Sequence, residues 1–295
     1  MNKIKKIIQT FSIYFILILI SFVFLYPVFY MISYSFMSES DLVNPLVKWI
    51  PRNPTIYNYL EAIRVLDYSK SLWISFLTSL FPSALQVITA SIVGYGFSRF
   101  KFYGKNILFT LMLLSFIVPP QVAMIPQFLM YRNLGLLGTI YSYIIPAMFS
   151  QGIRNAIFIL IFYQFFNMFP KSIEEAAKID GAHAGTIFVR IAVPSALPAY
   201  LISFLFSIVW YWNETSLASL YLGNELKPLT LRLLGFADTF RRLYPFNPNS
   251  PTGKNLNEAI IMAGTLLTIL PLILIYFIAQ RWFVESIDRV GITGE

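Results

Sequence analysis

The sequence predicts an all-α, polytopic membrane protein. Of its 295 residues, 57% are hydrophobic, 17% are aromatic and only 12% are charged, and this charged fraction is about half of that in soluble domains. The apolar residues form long runs, and roughly 20 consecutive apolar residues at about 1.5 Å per residue cross the hydrocarbon core as a helix. Composition and run length together therefore predict a bundle of transmembrane helices.

The apolar runs predict six spans in a single transmembrane domain that covers residues 1–295. The first, at about residues 11–36, follows three lysines and lacks both the short core and the cleavage site of a secretory signal, so it is expected to stay uncleaved. The other five spans are expected at about residues 72–97, 107–129, 139–166, 194–212 and 258–283. An even number of spans places both termini on the same side.

The positive charges predict which side that is. Lys and Arg are divided almost evenly between the two sides, but they are densest in the tail before Phe11 and in "RFKFYGK" (residues 99–105). Because short positively charged loops stay in the cytoplasm, both termini are expected to be cytoplasmic, in a multi-pass protein surrounded by the lipid of the cell membrane. The net charge of +8 is spread along the chain in small groups, which argues against a nucleic-acid partner.

Several kinds of chemistry are not expected. The chain has no cysteine and a single histidine, so no metal site and no redox cofactor is predicted. The only Gly-Lys pairs, at residues 104–105 and 253–254, lack the upstream glycine and the following hydroxyl of a phosphate-binding loop. The chain is therefore not expected to be an enzyme, and ATP hydrolysis would have to take place in a separate subunit.

The spans also argue against two other classes of membrane protein. An ion-coupled secondary transporter or channel needs buried charged residues within its spans, and no acidic residue lies well inside any of the six. An intramembrane enzyme needs paired carboxylates, a Ser/Lys pair or a metal cluster at membrane depth, and the predicted spans contain none of these. The ion-coupled transporter is kept as the weaker alternative.

The most polar stretch between two predicted spans is "IEEAAKIDGAHAGTIFVRIAVPSA" (residues 173–196). Ser172 and Glu175 form an S-x-x-E capping pattern at the start of a short helix, and Gly181 lies where a left-handed C-terminal cap would end it. A second, amphipathic helix is expected to follow, as far as Pro194. Because helices this short are unstable alone in water, they are expected to dock on the bilayer surface or on a partner protein.

This stretch carries a specific signature. The sequence "EAA" (residues 175–177), Gly181 three residues later and "IAVP" (residues 191–194) after nine more resemble the E-A-A-x3-G-x9-I-x-L-P pattern of permease subunits of ATP-binding cassette importers, with Val193 in the Leu position.

Other stretches narrow the resemblance, over nearly the whole chain, to carbohydrate-importer permeases of the maltose-transporter type, second-subunit branch. They are "NPTIYNY" (53–59), "GYGFSRFKFYGK" (94–105), "VPPQVAMIPQF" (118–128), "LGLLGTIYSYIIP" (134–146), "NAIFILIFYQFF" (155–166), "YWNE" (211–214) and the ending "QRWFVESIDRVGITGE". Two features depart from the pattern: Ser286 stands where these permeases often have Gly, and the outer loop at about residues 236–257 is longer than usual.

The resemblance implies partners and a coupling site. In that family residues 170–194, here called the coupling segment, are seated in a cleft of a cytoplasmic ATPase subunit. The chain is then expected to import a sugar or oligosaccharide together with a second, homologous permease, a dimer of ATPases that bind ATP-Mg, and an extracellular solute-binding protein; a non-sugar solute is the alternative. The residues expected to couple to the ATPase are Ser172, Glu174, Glu175, Ala176, Ala177, Asp180, Gly181, Arg190 and Pro194.

The solute pathway is predicted from polar residues within or beside the spans. Arg154 lies at the centre of the predicted fourth span, where a guanidinium group costs at least about 2.5–3.5 kcal/mol unless it faces a wet cavity or a partner. It is expected either to line the pathway or to pair with a carboxylate or helix-end carbonyl groups of the partner permease. Gln121 follows a proline pair that frees a backbone carbonyl group. The predicted pathway residues are Gln121, Gln151, Arg154, Asn155, Asn213 and Glu214.

Five further side chains are assigned less specific roles. His183 is expected to be a solvated or interface side chain rather than a proton relay. Trp210 and Trp212 are expected in an interfacial aromatic belt, with a gate or a contact to the solute-binding protein as the alternative. Arg241 and Arg242 are expected to be solvated loop charges, and the alternative is that they dock an acidic binding protein.

Overall fold

The computed structural model describes residues 2–245 and 255–292, with the side chains of residues 5–245 and 255–281. Within these ranges every regular element is helical, which confirms the predicted all-α fold. The helices are α1 (Asn2–Ser35), α2 (Glu39–Leu42), α3 (Tyr57–Leu66), α4 (Tyr68–Arg99), α5 (Lys105–Ile117), α6 (Pro120–Asn133), α7 (Tyr141–Met148), α8 (Asn155–Met168), α9 (Lys171–Ile179), α10 (Ala184–Ile187), a π-helical stretch (Phe188–Ala192), α11 (Val193–Ser195), α12 (Leu197–Asn213), α13 (Ser216–Tyr221), α14 (Leu229–Leu234), α15 (Phe236–Leu243) and α16 (Glu258–Ile292). The side chain of Ser286 and residues 246–254 of the second outer loop lie outside the described residues.

Three helices in the described part of the chain are long and apolar enough to cross a membrane alone. They lie at Lys5–Ser35, Tyr68–Arg99 and Glu258–Arg281. Three further candidates are pairs of helices bent at a short break: α5 with α6 by 100°, α8 with α9 by 72°, and α10–α11 with α12 by 74°. The number of spans is therefore three to six, as expected for a polytopic membrane protein.

Two of the predicted spans are interrupted. The third breaks at its proline pair, where Val118 is extended (φ −67°, ψ 123°) and α6 begins at Pro120, because a residue before proline avoids the helical region. The fourth consists of α7 and α8 with residues 149–154 between them. Ser150 and Arg154 in this connection have positive φ angles of 59° and 52°, a conformation that no continuous helix contains.

The chain divides into two compact units, Met1–Tyr68 with Gly235–Leu270 and Ser69–Leu234 with Pro271–Glu295. In the first unit, α3 is bound to the end of α1, because the buried Asn58 Nδ2 donates to the carbonyl oxygens of Ser35 and Met37 at 2.9 and 2.8 Å. The hydroxyl group of Tyr244, directly after α15, donates to the Glu61 carboxylate at 2.5 Å. These polar contacts hold the short helices of the first unit together.

The core of the second unit lies where α4, α8 and α12 meet. Phe158, Phe162 and Phe166, spaced four residues apart on one face of α8, are fully buried. They pack with α4 side chains and with alanines at the start of α12. A Cβ atom on Gly94 of α4 would lie only 2.7 Å from the Phe162 Cβ atom and 3.0 Å from the Ile159 carbonyl oxygen. The α4 and α8 backbones are therefore in direct contact at Gly94.

This contact predicts that Gly94→Ala destabilises the protein, since overpacking against a helix backbone typically costs about 1–3 kcal/mol. Gly96→Ala on the same helix is a matched control, because nothing lies within 4 Å of its added Cβ atom and alanine is the better helix former. Thermal unfolding in detergent is expected to give a lower midpoint for Gly94→Ala and an equal or higher midpoint for Gly96→Ala than for wild type. Equal midpoints for the two variants would contradict the close contact.

Candidate functional site

The first helix of the coupling segment begins two residues earlier than predicted. Pro170 occupies the cap position (φ −59°, ψ 122°), α9 starts at Lys171, and no side chain caps it. The prediction that Ser172 caps this helix is therefore wrong. The preceding Phe169 is extended (φ −70°, ψ 132°) and Pro170 has a φ angle already suited to a helix start, so the chain turns before it reaches the serine.

The end of α9 confirms the prediction for Gly181, whose φ angle is +85°. Its amide donates to the Lys178 carbonyl oxygen at 3.0 Å, and the Ala182 amide donates to the Ala177 carbonyl oxygen at 2.9 Å. These two bonds form a Schellman motif, which satisfies the last carbonyl groups of a helix. Nothing lies within 4 Å of a Cβ atom added at Gly181, so glycine is required there by the backbone conformation and not by lack of space.

The second half of the coupling segment begins with a histidine cap. The ring of the exposed His183 accepts a hydrogen bond from the Thr186 amide at Nδ1 (3.3 Å), and its Nε2 lies 2.9 Å from the Thr186 hydroxyl group. His183 is thus the solvated side chain that the sequence predicts, with a capping role that the sequence did not suggest. The expected single amphipathic helix consists of α10, the π-helical stretch that carries Arg190, and α11 with Pro194.

The two adjacent acidic residues of α9 differ in exposure, since Glu174 is buried and Glu175 is exposed. The Glu174 side chain is 4% exposed and that of Arg99, at the end of α4, is 7% exposed. The Arg99 Nε atom donates to Glu174 Oε1 at 2.8 Å, and the Tyr95 hydroxyl group donates to Oε2 at 3.4 Å. Glu174, which was predicted to couple to the ATPase, therefore binds within its own chain. No local pattern connects Glu174 with Arg99, which lies 75 residues earlier. The stretch that begins at Arg99 predicted only, through its positive charges, which side of the membrane it occupies.

The remaining predicted coupling residues share the outer surface of the segment. Ala177 is half-buried, and the exposed ones are Ser172, Glu175, Ala176, Asp180, Gly181, Arg190 and Pro194. Two large apolar side chains accompany them on α9, Ile173 and Ile179, and the latter is 87% exposed. A nine-residue helix thus presents a mixed acidic and apolar face that nothing in the described chain covers.

A second polar cluster surrounds the break between α7 and α8. The carbonyl oxygen of Ile153 accepts from Gln86 Nε2 at 2.8 Å, and its amide donates to the Tyr211 hydroxyl group at 3.3 Å. The Tyr211 hydroxyl group in turn donates to Gln86 Oε1 at 2.8 Å. Gln86 of α4 and Tyr211 of α12 are both buried, so the break is held from two sides by side chains within apolar helices.

Gly152 is required by this cluster. A Cβ atom at this position would overlap Gln86 Oε1 and lie 2.5 Å from the Tyr211 hydroxyl oxygen. Neither Gln86 nor Tyr211 was singled out from the sequence. The available signal was a lone glutamine within the apolar second span, where a buried amide needs a specific partner.

Arg154 lies at the start of α8, not within a continuous helix. Its guanidinium group is exposed and lies 5.1 Å from the centre of the Trp210 ring. A cation at a helix N-terminus is disfavoured by the helix dipole, and the cation–π contact offsets part of that cost. Asn155 is buried, and its Nδ2 atom donates to the carbonyl and hydroxyl oxygens of Ser150 at 2.7 and 2.6 Å. Asn155 therefore fixes the loop that presents Arg154.

The other predicted pathway residues lie at helix ends. Gln151 is exposed in the break and Gln121 is exposed in the first turn of α6. Asn213 Nδ2 donates to the Val209 carbonyl oxygen at 2.9 Å, and a Glu214 carboxylate oxygen accepts from the Leu217 amide at 3.0 Å. Asn213 and Glu214 therefore satisfy backbone groups at the end of α12 and the start of α13.

The predictions for Trp212 and for the two arginines of α15 have different outcomes. Trp212 is 3% exposed and packs edge-on against Phe76 with ring centres 5.7 Å apart, so its assignment to an interfacial belt is wrong. Arg241 and Arg242 are exposed on α15, as expected of solvated charges. Arg241 lies 3.8 Å from the Asp238 carboxylate, and Arg242 donates to the Thr239 hydroxyl group at 3.3 Å.

The sequence of this chain is similar, over nearly its whole length, to those of known transport permeases. The chain is 29% identical to the polygalacturonan/rhamnogalacturonan transport system permease protein YtcP of Bacillus subtilis, over 93% of this chain and 94% of that protein. It is 27% identical to the lactose transport system permease protein LacG of Rhizobium radiobacter, over 97% and 96%. It is 25% identical to the arabinooligosaccharides transport system permease protein AraQ of Halalkalibacterium halodurans, over 93% of each chain.

A solved structure shares the fold. A chain of a bacterial ABC transporter involved in the import of the acidic polysaccharide alginate superimposes with a TM-score of 0.75 over 94% of this chain and 96% of that one, at 23% identity. The family model for the binding-protein-dependent transport system inner membrane component matches residues 86–289, which include the Gln86 cluster and the whole coupling segment. The chain belongs to the family of inner membrane components of binding-protein-dependent transport systems.

Proposed function

We propose that this chain is a permease subunit of an ATP-binding cassette importer and forms, with a second homologous permease, the pathway for uptake of a sugar or oligosaccharide. A cytoplasmic dimer of ATPase subunits that bind ATP-Mg drives transport, and an extracellular solute-binding protein delivers the solute. Both termini and the coupling segment lie on the cytoplasmic side. The family match and the permeases named for polygalacturonan, lactose and arabinooligosaccharides support this assignment.

The observation that carries the proposal is the uncovered face of α9. Glu175, Ile173 and Ile179 are exposed together on a helix of nine residues, too short to be stable by itself. A mixed charged and apolar face of this kind is suited to insertion into a cleft of another protein. The sequence carries no phosphate-binding loop of its own, so a separate ATPase subunit is the natural occupant.

The polar break supports a carbohydrate as the solute. The exposed Arg154 and Gln151 offer hydrogen-bond donors, and Trp210 offers an aromatic face beside the guanidinium group. Sugar hydroxyl groups are recognised by such donors, and sugar rings stack on aromatic faces. The break between α7 and α8 is therefore the proposed solute contact of this chain.

In the proposed mechanism, closure of the ATPase dimer on ATP displaces α9. The left-handed turn at Gly181 lets the chain reverse direction without strain, and α10 to α11 pass the displacement through Pro194 into α12. The second permease moves in the same way, and the pathway opens alternately to the two sides.

The turn at Gly181 predicts a graded loss of coupling. Gly181→Val places a β-branched residue at a φ angle of +85°, which costs at least about 1–2 kcal/mol, whereas Gly181→Asn is tolerated better because asparagine adopts this region more readily. In reconstituted vesicles Gly181→Val is expected to lose solute uptake or the bound ATPase, and Gly181→Asn to keep most of both. Wild-type uptake by Gly181→Val would show that coupling does not depend on this turn.

The position of Arg154 predicts a loss of uptake when its charge is removed. Two replacements are needed, because alanine keeps the strain that arginine already has at a φ angle of 52° but loses its contact with Trp210, whereas glycine is not strained there. Arg154→Gly and Arg154→Ala are both expected to lower solute uptake and solute-stimulated ATPase activity, with the complex intact, and Lys6→Ala, at an exposed position of α1, serves as the control. If Arg154→Gly matches wild type, the guanidinium group does not contact the solute, and a defect in Arg154→Ala alone is one of backbone conformation.

A further inference from the structure

Arg99 contacts more elements of the second unit than a simple surface charge would. Its Nε atom binds the Glu174 carboxylate of α9 at 2.8 Å, and its Nη2 atom donates to the carbonyl oxygen of Phe169, which ends α8, at 3.1 Å. Arg99 is itself the last residue of α4. One guanidinium group therefore joins the ends of α4 and α8 to the first helix of the coupling segment.

We propose that Arg99 and Glu174 form a positioning pair that makes α9 move as one body with α4 and α8, and so transmits the displacement of the coupling segment to the break that carries Arg154. This inference rests on the proposed function, because it concerns the route by which ATPase motion reaches the solute pathway. It adds a second route to the one through Pro194 and α12.

The pair is suited to this role because both of its side chains are buried and hydrogen-bonded. Both side chains are almost completely buried, so water and salt screen their attraction far less than at the surface. The second carboxylate oxygen accepts from Tyr95. The ring of Tyr95 packs edge-on against Phe166, with centres 5.2 Å apart, and at a tilt against Phe188, with centres 4.9 Å apart. The ion pair and the packing of Tyr95 thus both hold the side of α9 that carries Glu174.

The chain passes from α8 to α9 through Phe169 and Pro170. The two helices meet at an angle of 72°, and the extended conformation of these two residues is the natural pivot. Arg99 bonds to the Phe169 carbonyl oxygen at this pivot and to Glu174, five residues further along the chain. The pair therefore holds both sides of the bend.

The middle of α4 and the start of α8 meet at the break between α7 and α8. Gln86 lies thirteen residues before Arg99 on α4, which corresponds to about 20 Å of helix, and it binds the Ile153 carbonyl oxygen just before α8 begins. Between these two points α4 and α8 are in backbone contact at Gly94. Two helices that are joined at two levels about 20 Å apart and packed between them carry a displacement along their length rather than absorb it.

The test compares the complete reconstituted complex carrying Arg99→Gln, Glu174→Gln, the double variant Arg99→Gln/Glu174→Gln, or Ser98→Ala. The control Ser98→Ala removes a hydrogen bond of 2.9 Å to Asn167 that joins α4 to α8, together with a bond of 3.3 Å from Arg99 Nη1 to the serine hydroxyl group, and leaves the Arg99–Glu174 bond in place. Two quantities are measured: the amount of ATPase retained on purification, and the number of solute molecules imported per ATP hydrolysed.

Each single variant leaves an uncompensated buried charge and is expected to destabilise the complex, whereas the double variant removes both charges and is expected to recover assembly. The double variant is nevertheless expected to import about fivefold or more fewer solute molecules per ATP than wild type, the lower end of coupling energies between sites. Ser98→Ala is expected to match wild type in both quantities.

Two results would overturn the proposal. A double variant that couples as well as Ser98→Ala would show that the pair only balances charge, and a double variant that fails to assemble would show that the pair braces the fold instead of positioning α9. A failure of the proposed function is recognised separately, since the wild-type complex would then show no ATP-dependent uptake at all.

Discussion

The ion pair between Arg99 and Glu174 determines which way the first helix of the coupling segment faces. With Glu174 held inward, the helical repeat of about 100° per residue turns Ala177 only partly away from the chain and sends Glu175, Ala176 and Ile179 outward. A helix of nine residues depends on tertiary contacts of this kind, because it is too short to be stable without them. The surface that we propose to meet the ATPase thus follows from one buried carboxylate.

The same logic applies at the break between α7 and α8. The backbone there adopts left-handed conformations at two residues other than glycine, Ser150 and Arg154, which persist only when the surroundings impose them. Gln86, Tyr211 and Asn155 supply those surroundings through hydrogen bonds to the loop. These hydrogen bonds consequently hold the loop in one conformation, which places Arg154 over the Trp210 ring.

The features that sequence patterns predicted correctly are those with local causes. Apolar runs predicted the helices, and the position of Gly181 predicted a left-handed cap. The proline pair predicted a freed backbone carbonyl group, but not the bend of 100° between α5 and α6. The features that were missed depend on partners far away in the chain. The role of Glu174 depends on Arg99, and the interruption of the fourth span depends on Gln86 and Tyr211. No local pattern around those positions contains this information. Ser172 failed for a nearer reason, since Pro170 had already started the helix.

If the outward face of α9 contacts a separate ATPase subunit, a crosslinker attached to that face will reach the ATPase. The chain has no cysteine, so a single cysteine at the exposed position Ile179 can carry a photoactivated crosslinker as the only labelled residue of this chain, and Asp238→Cys on α15 serves as the exposed control. Ile179→Cys is expected to crosslink to the ATPase with a yield that changes on addition of ATP, and Asp238→Cys is expected to give no ATPase crosslink. An assembled, transport-competent complex in which Ile179→Cys gives no ATPase product would contradict the account.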